Sequence, residues 1–336
     1  MSMVAGKAGV SQMTVSRSFR NDPSIPATTR ERIKRIAKKL GYLPDPALSQ
    51  LMARLRHSRV FSAEPLAWIT THPAEDGWRI NPASVAFHQG ARAHARELGY
   101  QLEEFWLAAP GMNGRRMSDI LRTRNIRGVL VAPLYDSEQP LDLQWEHFAA
   151  ATCGGFSLKK PALHRACSHY FHAIKIAWDA LTAAGYRRIG LALSADLEQR
   201  VAGLWLASLL LEQRGIPAKN RVPPLVTAEW SAPVFMRWFE RHRPDVVISF
   251  KTVYEWMTAA GLRVPEDSGF ALLNMERPNS AGVDEQQPDV GAAAIDLIIE
   301  QLNSNQLGLP AKPKIVLVEC SWRNGPTIAV QPHASA

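Results

Sequence analysis

Hydrophobic positions change rhythm along this 336-residue chain. Near the N-terminus Val4, Ala5 and Ala8, then Val15, then Ile33, Ile36, Ala37 and Leu40 recur at the spacing of helix faces. That spacing predicts three short helices sharing one small core. From Pro65 onward, short apolar runs alternate with amphipathic stretches, the pattern of parallel strands covered by helices. The runs predict strands over 66–70, 101–106, 128–132, 188–193, 246–250, 270–274 and 315–318. The stretches predict helices over 84–98, 117–124, 171–184, 200–214, 233–242, 253–260 and 290–303. The fold class expected is therefore α/β, with parallel sheets flanked by helices behind a small all-α domain.

Charge separates the same two parts. Residues 1–60 hold twelve Lys and Arg against three acids, a net of +9, while the whole chain carries +8, so the remainder is close to neutral at −1. An excess confined to one end is the electrostatic footprint of a polyanion-binding head on an ordinary body. A solvated basic helix face would account for Lys34, Arg35, Lys38 and Lys39, but not for the turn signature beside them. No run of about eighteen apolar residues is present, and the first residues lack a secretion signal, so a cytoplasmic protein with no membrane contact is expected. Three widely spaced cysteines, Cys153, Cys167 and Cys320, fit neither a disulfide framework nor a zinc ribbon.

In the head, Gly9 follows a short apolar helix and permits a tight turn into the next. Ser11 is expected to cap that second helix, with Val15 inward and Gln12, Met13, Ser16 and Arg17 outward. Gln12 and Met13 lie in the first turn, the part of such a helix that enters a major groove. Arg17 can pair bidentately with a guanine edge and Gln12 can read adenine or bridge to phosphate, whereas Met13 offers apolar contact only. Ser11, Thr14 and Ser16 are short hydroxyl donors suited to phosphates. Thr29 and Arg30 open the third helix and are counted with the DNA-contacting set. A two-helix hairpin without a DNA role is the alternative.

The segment Tyr42-Leu43-Pro44-Asp45-Pro46-Ala47-Leu48-Ser49-Gln50-Leu51-Met52-Ala53-Arg54-Leu55-Arg56 continues this head. Here the chain resembles the LacI/GalR family of bacterial transcription regulators, a resemblance extending over nearly its whole length. The resemblance implies a hinge helix that folds on DNA and wedges Leu51 between base steps of the minor groove. Leu51 as plain linker-helix core is the alternative. Leu48-Ser49 stands where the family usually has Ala-Arg, so Arg54 or Arg56 is expected to supply the missing charge. The start, Met1-Ser2-Met3, is shorter than the resemblance implies, so either the start is mis-assigned or the first helix lacks its cap and first turn, at a cost of about 1 kcal/mol.

In the body, Arg127-Gly128-Val129-Leu130-Val131, the run from Leu181 to Gly190, Ala260-Gly261-Leu262-Arg263-Val264-Pro265 and Gln287-Pro288 echo the same family. They imply two lobes of the periplasmic-binding-protein type, with an effector bound in the crevice at the carboxyl ends of the strands. The organisation expected is a helix-turn-helix domain over 1–44, a hinge over 45–60, a first lobe over 61–155 plus about 290–322, and a second lobe over 156–289. By position the resemblance nominates His72, Trp78, Arg200, Phe250 and Asn274 for the effector pocket. Arg200 could equally form a structural ion pair, and Trp78 could equally take a core or a surface role. Ser249-Phe250 and Asn274 replace residues that are usually Asn-Asp and Asp. Thinned of carboxylates and amides, the pocket is expected to leave common sugars without effect on thermal stability.

His164, Cys167, His169 and His172 cluster in sequence but match no zinc spacing, so no metal is expected, and no cofactor loop or catalytic elbow occurs. The function expected is a homodimeric regulator, not an enzyme, on palindromic double-stranded operator DNA, with a small-molecule effector setting hinge geometry. A solute-binding or sugar-processing α/β protein without a DNA role is the alternative. The tail 331–336 has no heptad repeat, which argues against tetramers.

Overall fold

Three helices build the N-terminal unit: α1 (Ser2–Ala8), α2 (Gln12–Phe19) and α3 (Ala27–Lys39). Val4, Ala5, Ala8, Val15, Ile33 and Ala37 are buried together, with Val10, Phe19, Ile36 and Leu40 packed around them. This is the core that the periodicity places there. Gly9 takes φ +64°, and the Val10 N–H donates to Ala5 O at 3.1 Å, so α1 ends in the left-handed turn that glycine favours. Arg32 donates to Ala8 O at 3.2 Å and ties α3 to the end of α1. The computed structural model describes residues 2–19, 24–40, 63–137, 141–274 and 279–329, and the chain divides into the units Met1–Ser62 and Ala63–Ala336.

The second unit contains two six-stranded sheets. The first runs in the order β11 (Ile315–Val318), β5 (His164–Ser168), β4 (Ala149–Cys153), β3 (Gly128–Val131), β1 (Glu64–Thr70), β2 (Tyr100–Trp106), all parallel. The second runs β12 (Ser321–Arg323), β10 (Gly282–Asp284), β9 (Gly269–Leu272), β8 (Val246–Ser249), β6 (Ile189–Ser194), β7 (Leu225–Thr227), parallel except where β12 meets β10. Central strands such as β3 and β8 are buried throughout, because helices cover both faces and leave no solvent side.

Helices α4 (Pro82–Glu97), α5 (Gly114–Thr123) and α11 (Gln287–Asn303) flank the first sheet. The second is flanked by α6 (Tyr170–Ala183), α7 (Ala195–Arg200), α8 (Leu204–Arg214), α9 (Ala232–His242) and α10 (Lys251–Ala259). The α4–α11 crossing is close: a Cβ on Gly90 would lie 1.9 Å from Pro288 O, and one on Gly291 2.0 Å from Phe87 O.

Three sequence expectations are corrected. The second lobe does not begin at 156, since β5 lies in the first sheet; the chain crosses after Ser168. It recrosses into α11, and β11 returns to the first sheet while β12 joins the second, so the first lobe's C-terminal part ends before 322. The helix expected over 200–214 is two helices, broken where Ala202 (φ 58°) and Gly203 (φ 76°) turn left-handed. Arg200 therefore closes α7 instead of opening a longer helix.

Candidate functional site

The N-terminal unit presents α2 as a surface. Ser11 Oγ accepts the Thr14 N–H at 3.1 Å and shares a 3.0 Å contact with Thr14 Oγ1, which is the expected cap. Val15 is fully buried, whereas Gln12, Met13 and Arg17 are exposed along the helix. Met13, at 65 % exposure, is an apolar side chain that the small core leaves out. Thr14 is half-buried, as are Thr29 and Arg30 in the first turn of α3. The backbone of Ser16 lies in α2. Leu51 and Arg54 fall outside the described residues.

The body contains a cleft of about 390 Å³ where the carboxyl ends of β1 and β3 face α7. From the first lobe Thr70, Thr71, His72, Trp78, Ile80, Asn81, Ser84 and Tyr135 line it, and from the second Asp196, Leu197 and Arg200. His72 Nδ1 accepts the Ala74 N–H at 3.2 Å, and its ring meets Tyr135 edge-on at 4.6 Å. Acceptance at Nδ1 puts the proton of a neutral ring on Nε2. Trp78 lines the cleft and is also core: it is buried against Trp68 at 5.7 Å and His88 at 4.9 Å. Arg79 stacks over it at 4.3 Å while bonded to Asp76 and Glu104.

His88 sits behind this wall, 3.3 Å from a Glu104 carboxylate oxygen but not aligned for a hydrogen bond. Burial lowers its proton affinity below the ordinary imidazole value, against the pull of Glu104 and with the push of Arg79 and Arg92.

Arg200 has the most defined geometry. Its guanidinium donates through Nε to Asp196 at 3.0 Å, and through Nη1 and Nη2 to the Leu134 and Tyr135 carbonyls at 2.9 Å each. Its own carbonyl accepts the Phe156 N–H at 2.5 Å. Both alternatives weighed for this residue meet here: it lines the cleft, and it is engaged in an ion pair and in bonds across the cleft. Next to it, the buried Glu198 accepts the Leu206 N–H at 2.9 Å, capping α8. Burial raises the Glu198 pKa, and the Leu206 bond partly offsets that rise.

Phe250 and Asn274 are not brought to this cleft. Phe250 precedes α10 and packs on Trp205 at 5.6 Å, and Asn274 is buried after β9. Conversely, sequence reading missed Thr71, Asn81, Ser84 and Tyr135. Thr71 had a usable signal, standing just past the carboxyl end of β1. Its Oγ1 is buried without a hydrogen-bond partner, so the cleft holds an unsatisfied hydroxyl. Among the described residues Asp196 is the one carboxylate on the cleft, paired with Arg200, whose guanidinium is itself engaged, so the other polar side chains are hydroxyl, amide and imidazole. That set recognises uncharged polar groups beside an aromatic wall.

Among the described residues, no group of three or more His, Cys, Asp or Glu is arranged to hold a metal ion, and no helix is long and apolar enough to cross a membrane.

Residues 1–45 match the family model of bacterial regulatory proteins, lacI family. The chain is 29% identical over 139 residues to the HTH-type transcriptional regulator CelR of Thermobifida fusca, which covers 40% of this chain and 37% of that protein. It is 31% identical over 107 residues to the sucrose operon repressor of Shigella flexneri, covering 28% and 32%. The alignments thus span about a third of the length of these curated relatives. Among solved structures, a CelR–cellobiose complex superposes with TM-score 0.59 at 19% identity, covering 97% of this chain and 98% of that one. A lac repressor dimer bound to operator and the anti-inducer ONPF gives 0.58 at 17%, with the same coverages. These likenesses establish the fold of the body, two mostly parallel sheets flanked by helices. Residues 1–45 thus match the lacI family of bacterial regulatory proteins, and the body behind them shares the fold of these solved structures.

Proposed function

We propose that this protein is a sequence-specific DNA-binding transcriptional regulator, acting as a cytoplasmic homodimer on palindromic operators and carrying no enzymatic activity. The observation that carries the reading is α2: a Ser11-capped helix, buried through Val15, with Gln12, Met13 and Arg17 exposed, inside a unit matching the lacI family. Arg17 and Gln12 read base edges, Ser11, Thr14, Ser16, Thr29 and Arg30 position the helix on phosphates, and Leu51 with Arg54 serves the minor groove. The relatives are regulators or repressors by name, and the lac repressor structure holds operator as a dimer.

A small polar molecule in the cleft between His72, Trp78 and Arg200 then sets the balance of lobe closure and so the fraction of DNA-competent dimer. The cellobiose complex of CelR supports a sugar-related ligand, while the scarcity of unpaired carboxylates in this cleft favours a less hydroxylated one. A mobility shift at two salt concentrations tests the reading. Neutralising several phosphates makes affinity fall about 0.9 log units per phosphate for each log unit of salt. Arg17→Ala weakens binding and relaxes preference at one base per half-site by about 1–3 kcal/mol. Salt-independent retention, or unchanged preference in the variant, contradicts it.

A further inference from the structure

The end of the second lobe away from the cleft holds a concentration of arginine that operator recognition and effector binding leave unused. Parallel strands place the cleft at their carboxyl ends; just before the amino ends of β6 and β8 stand Arg187, Arg188 and Arg243. The Arg188 guanidinium donates to three main-chain carbonyls, those of Lys219, His242 at 2.5 Å and Arg243 at 3.3 Å. The N–H groups of Arg187 and Arg188 donate to the Asp245 carboxylate at 2.9 Å. These bonds gather three chain segments, and with them the side chains of Arg187, Lys219, Arg241 and Arg243. Arg221 lies two residues past Lys219, and Arg237 one helical turn before Arg241 on the same face of α9, where both line a shallow groove with Trp238, Glu240 and His242.

All six of Arg187, Lys219, Arg221, Arg237, Arg241 and Arg243 are exposed. Asp245 is taken up by main-chain N–H groups, which leaves Glu240 in the groove as the carboxylate set beside these six cations. Collecting like charges is unfavourable, and the α9 dipole accounts only for those in its last turn, Arg241 and His242. Arg243 even occupies a left-handed position (φ 43°) where glycine or asparagine is usual. His242 registers the resulting field: burial first, then Arg241 and Arg188, lower its proton affinity.

The chemistry of the patch selects the partner. None of the large apolar side chains exposed by the described residues belongs to it. A protein partner would bury an apolar centre there, whereas a phosphate backbone needs only charge and forked donors. We propose that this face is a second, sequence-independent DNA contact, which takes the phosphates of a duplex segment other than the one read by α2. Because it accepts any duplex, it stands or falls separately from operator recognition.

The test uses full-length protein, immobilised through a tag and saturated with the unlabelled duplex it prefers. A fluorescent duplex of random sequence, about 30 base pairs long, is then offered. Engaging about five phosphates makes retention fall about 100-fold between roughly 50 and 150 mM salt. The triple variant Lys219→Gln, Arg241→Gln, Arg243→Gly retains at least about tenfold less label at the lower salt. Arg188 bonds only to main-chain carbonyls, so these side-chain changes leave its network intact; a second variant, Arg237→Gln with Arg241→Gln, lies wholly on the helix surface and moves capture the same way. Equal capture by wild type and both variants overturns the proposal, as does wild type that captures no second duplex. Loss of the first duplex with capture unchanged counts against the α2 reading, not against this one.

Discussion

Replacing Arg200 with Met tests how the two lobes are held. The side chain contributes two charge-assisted bonds across the cleft, to Leu134 O and Tyr135 O, besides its ion pair with Asp196. A hydrogen bond to a charged group contributes about 1.5–3 kcal/mol when shielded. The Arg200 side chain is 32% exposed and Asp196 is 71% exposed, so water replaces part of this and the ion pair adds little. About 2 kcal/mol is left for the two cross-cleft bonds together. Methionine keeps the length and apolar stem, and the Phe156 N–H to Arg200 O bond does not depend on the side chain. The open population therefore rises about 30-fold relative to the closed one. Spin labels on cysteines introduced at Arg122 and Ala259, both exposed and on different lobes, report the interlobe distance by pulsed electron resonance. The native cysteines are buried and do not compete for label. A longer-distance component appearing in Arg200→Met is the expected result; distributions indistinguishable from wild type would refute a latch at this residue.

Other substitutions probe packing and protonation. Gly291→Ala drives a Cβ to 2.0 Å from Phe87 O, and the forced separation of α4 from α11 costs about 2–3 kcal/mol, read as a drop in Tm; an unchanged Tm contradicts this crossing. His88 has a folded pKa below its unfolded value through burial, so its stability contribution is complete above the unfolded pKa near 6.5 and is lost as pH falls below it. The slope is at most about 1.4 kcal/mol per pH unit for one proton; Tm profiles between pH 8 and 5 flatten in His88→Phe, and equal slopes reject the assignment. Thr71→Val leaves Tm unchanged or raised, because Oγ1 has no partner to lose, but abolishes the Tm shift given by any ligand that uses this hydroxyl. A Tm loss above about 1 kcal/mol equivalent would show the hydroxyl already satisfied.

Much of the fold was legible where burial follows periodicity. The central strands β1, β3, β6 and β8 are apolar and carry β-branched residues, so their pattern survives in sequence. Two strands of the first sheet did not declare themselves. In β4, Ala149, Ala150 and Ala151 are buried but read as helix formers. In β5, Arg165 looks like a surface residue, yet its guanidinium is buried, donating to Gly155 O and, at 2.7 Å, to Leu158 O. Missing β5 misplaced the lobe boundary. Helix α2 was fully legible because its cap, turn and buried Val15 are local in sequence. The cleft was half legible: strand ends locate it, but the partners of Arg200 lie 65 and 66 residues away, and no local pattern announces them. Phe250 and Asn274 came from positional resemblance, which does not carry side-chain direction.

Selection of bound sites from a random duplex pool, with wild type and Arg17→Ala in parallel, measures the central claim most directly. The account predicts that wild type enriches an inverted repeat whose half-sites share a guanine, and that Arg17→Ala loses preference at that base alone in each half. A wild-type pool that remains random after repeated rounds, from folded protein at low salt, would contradict it.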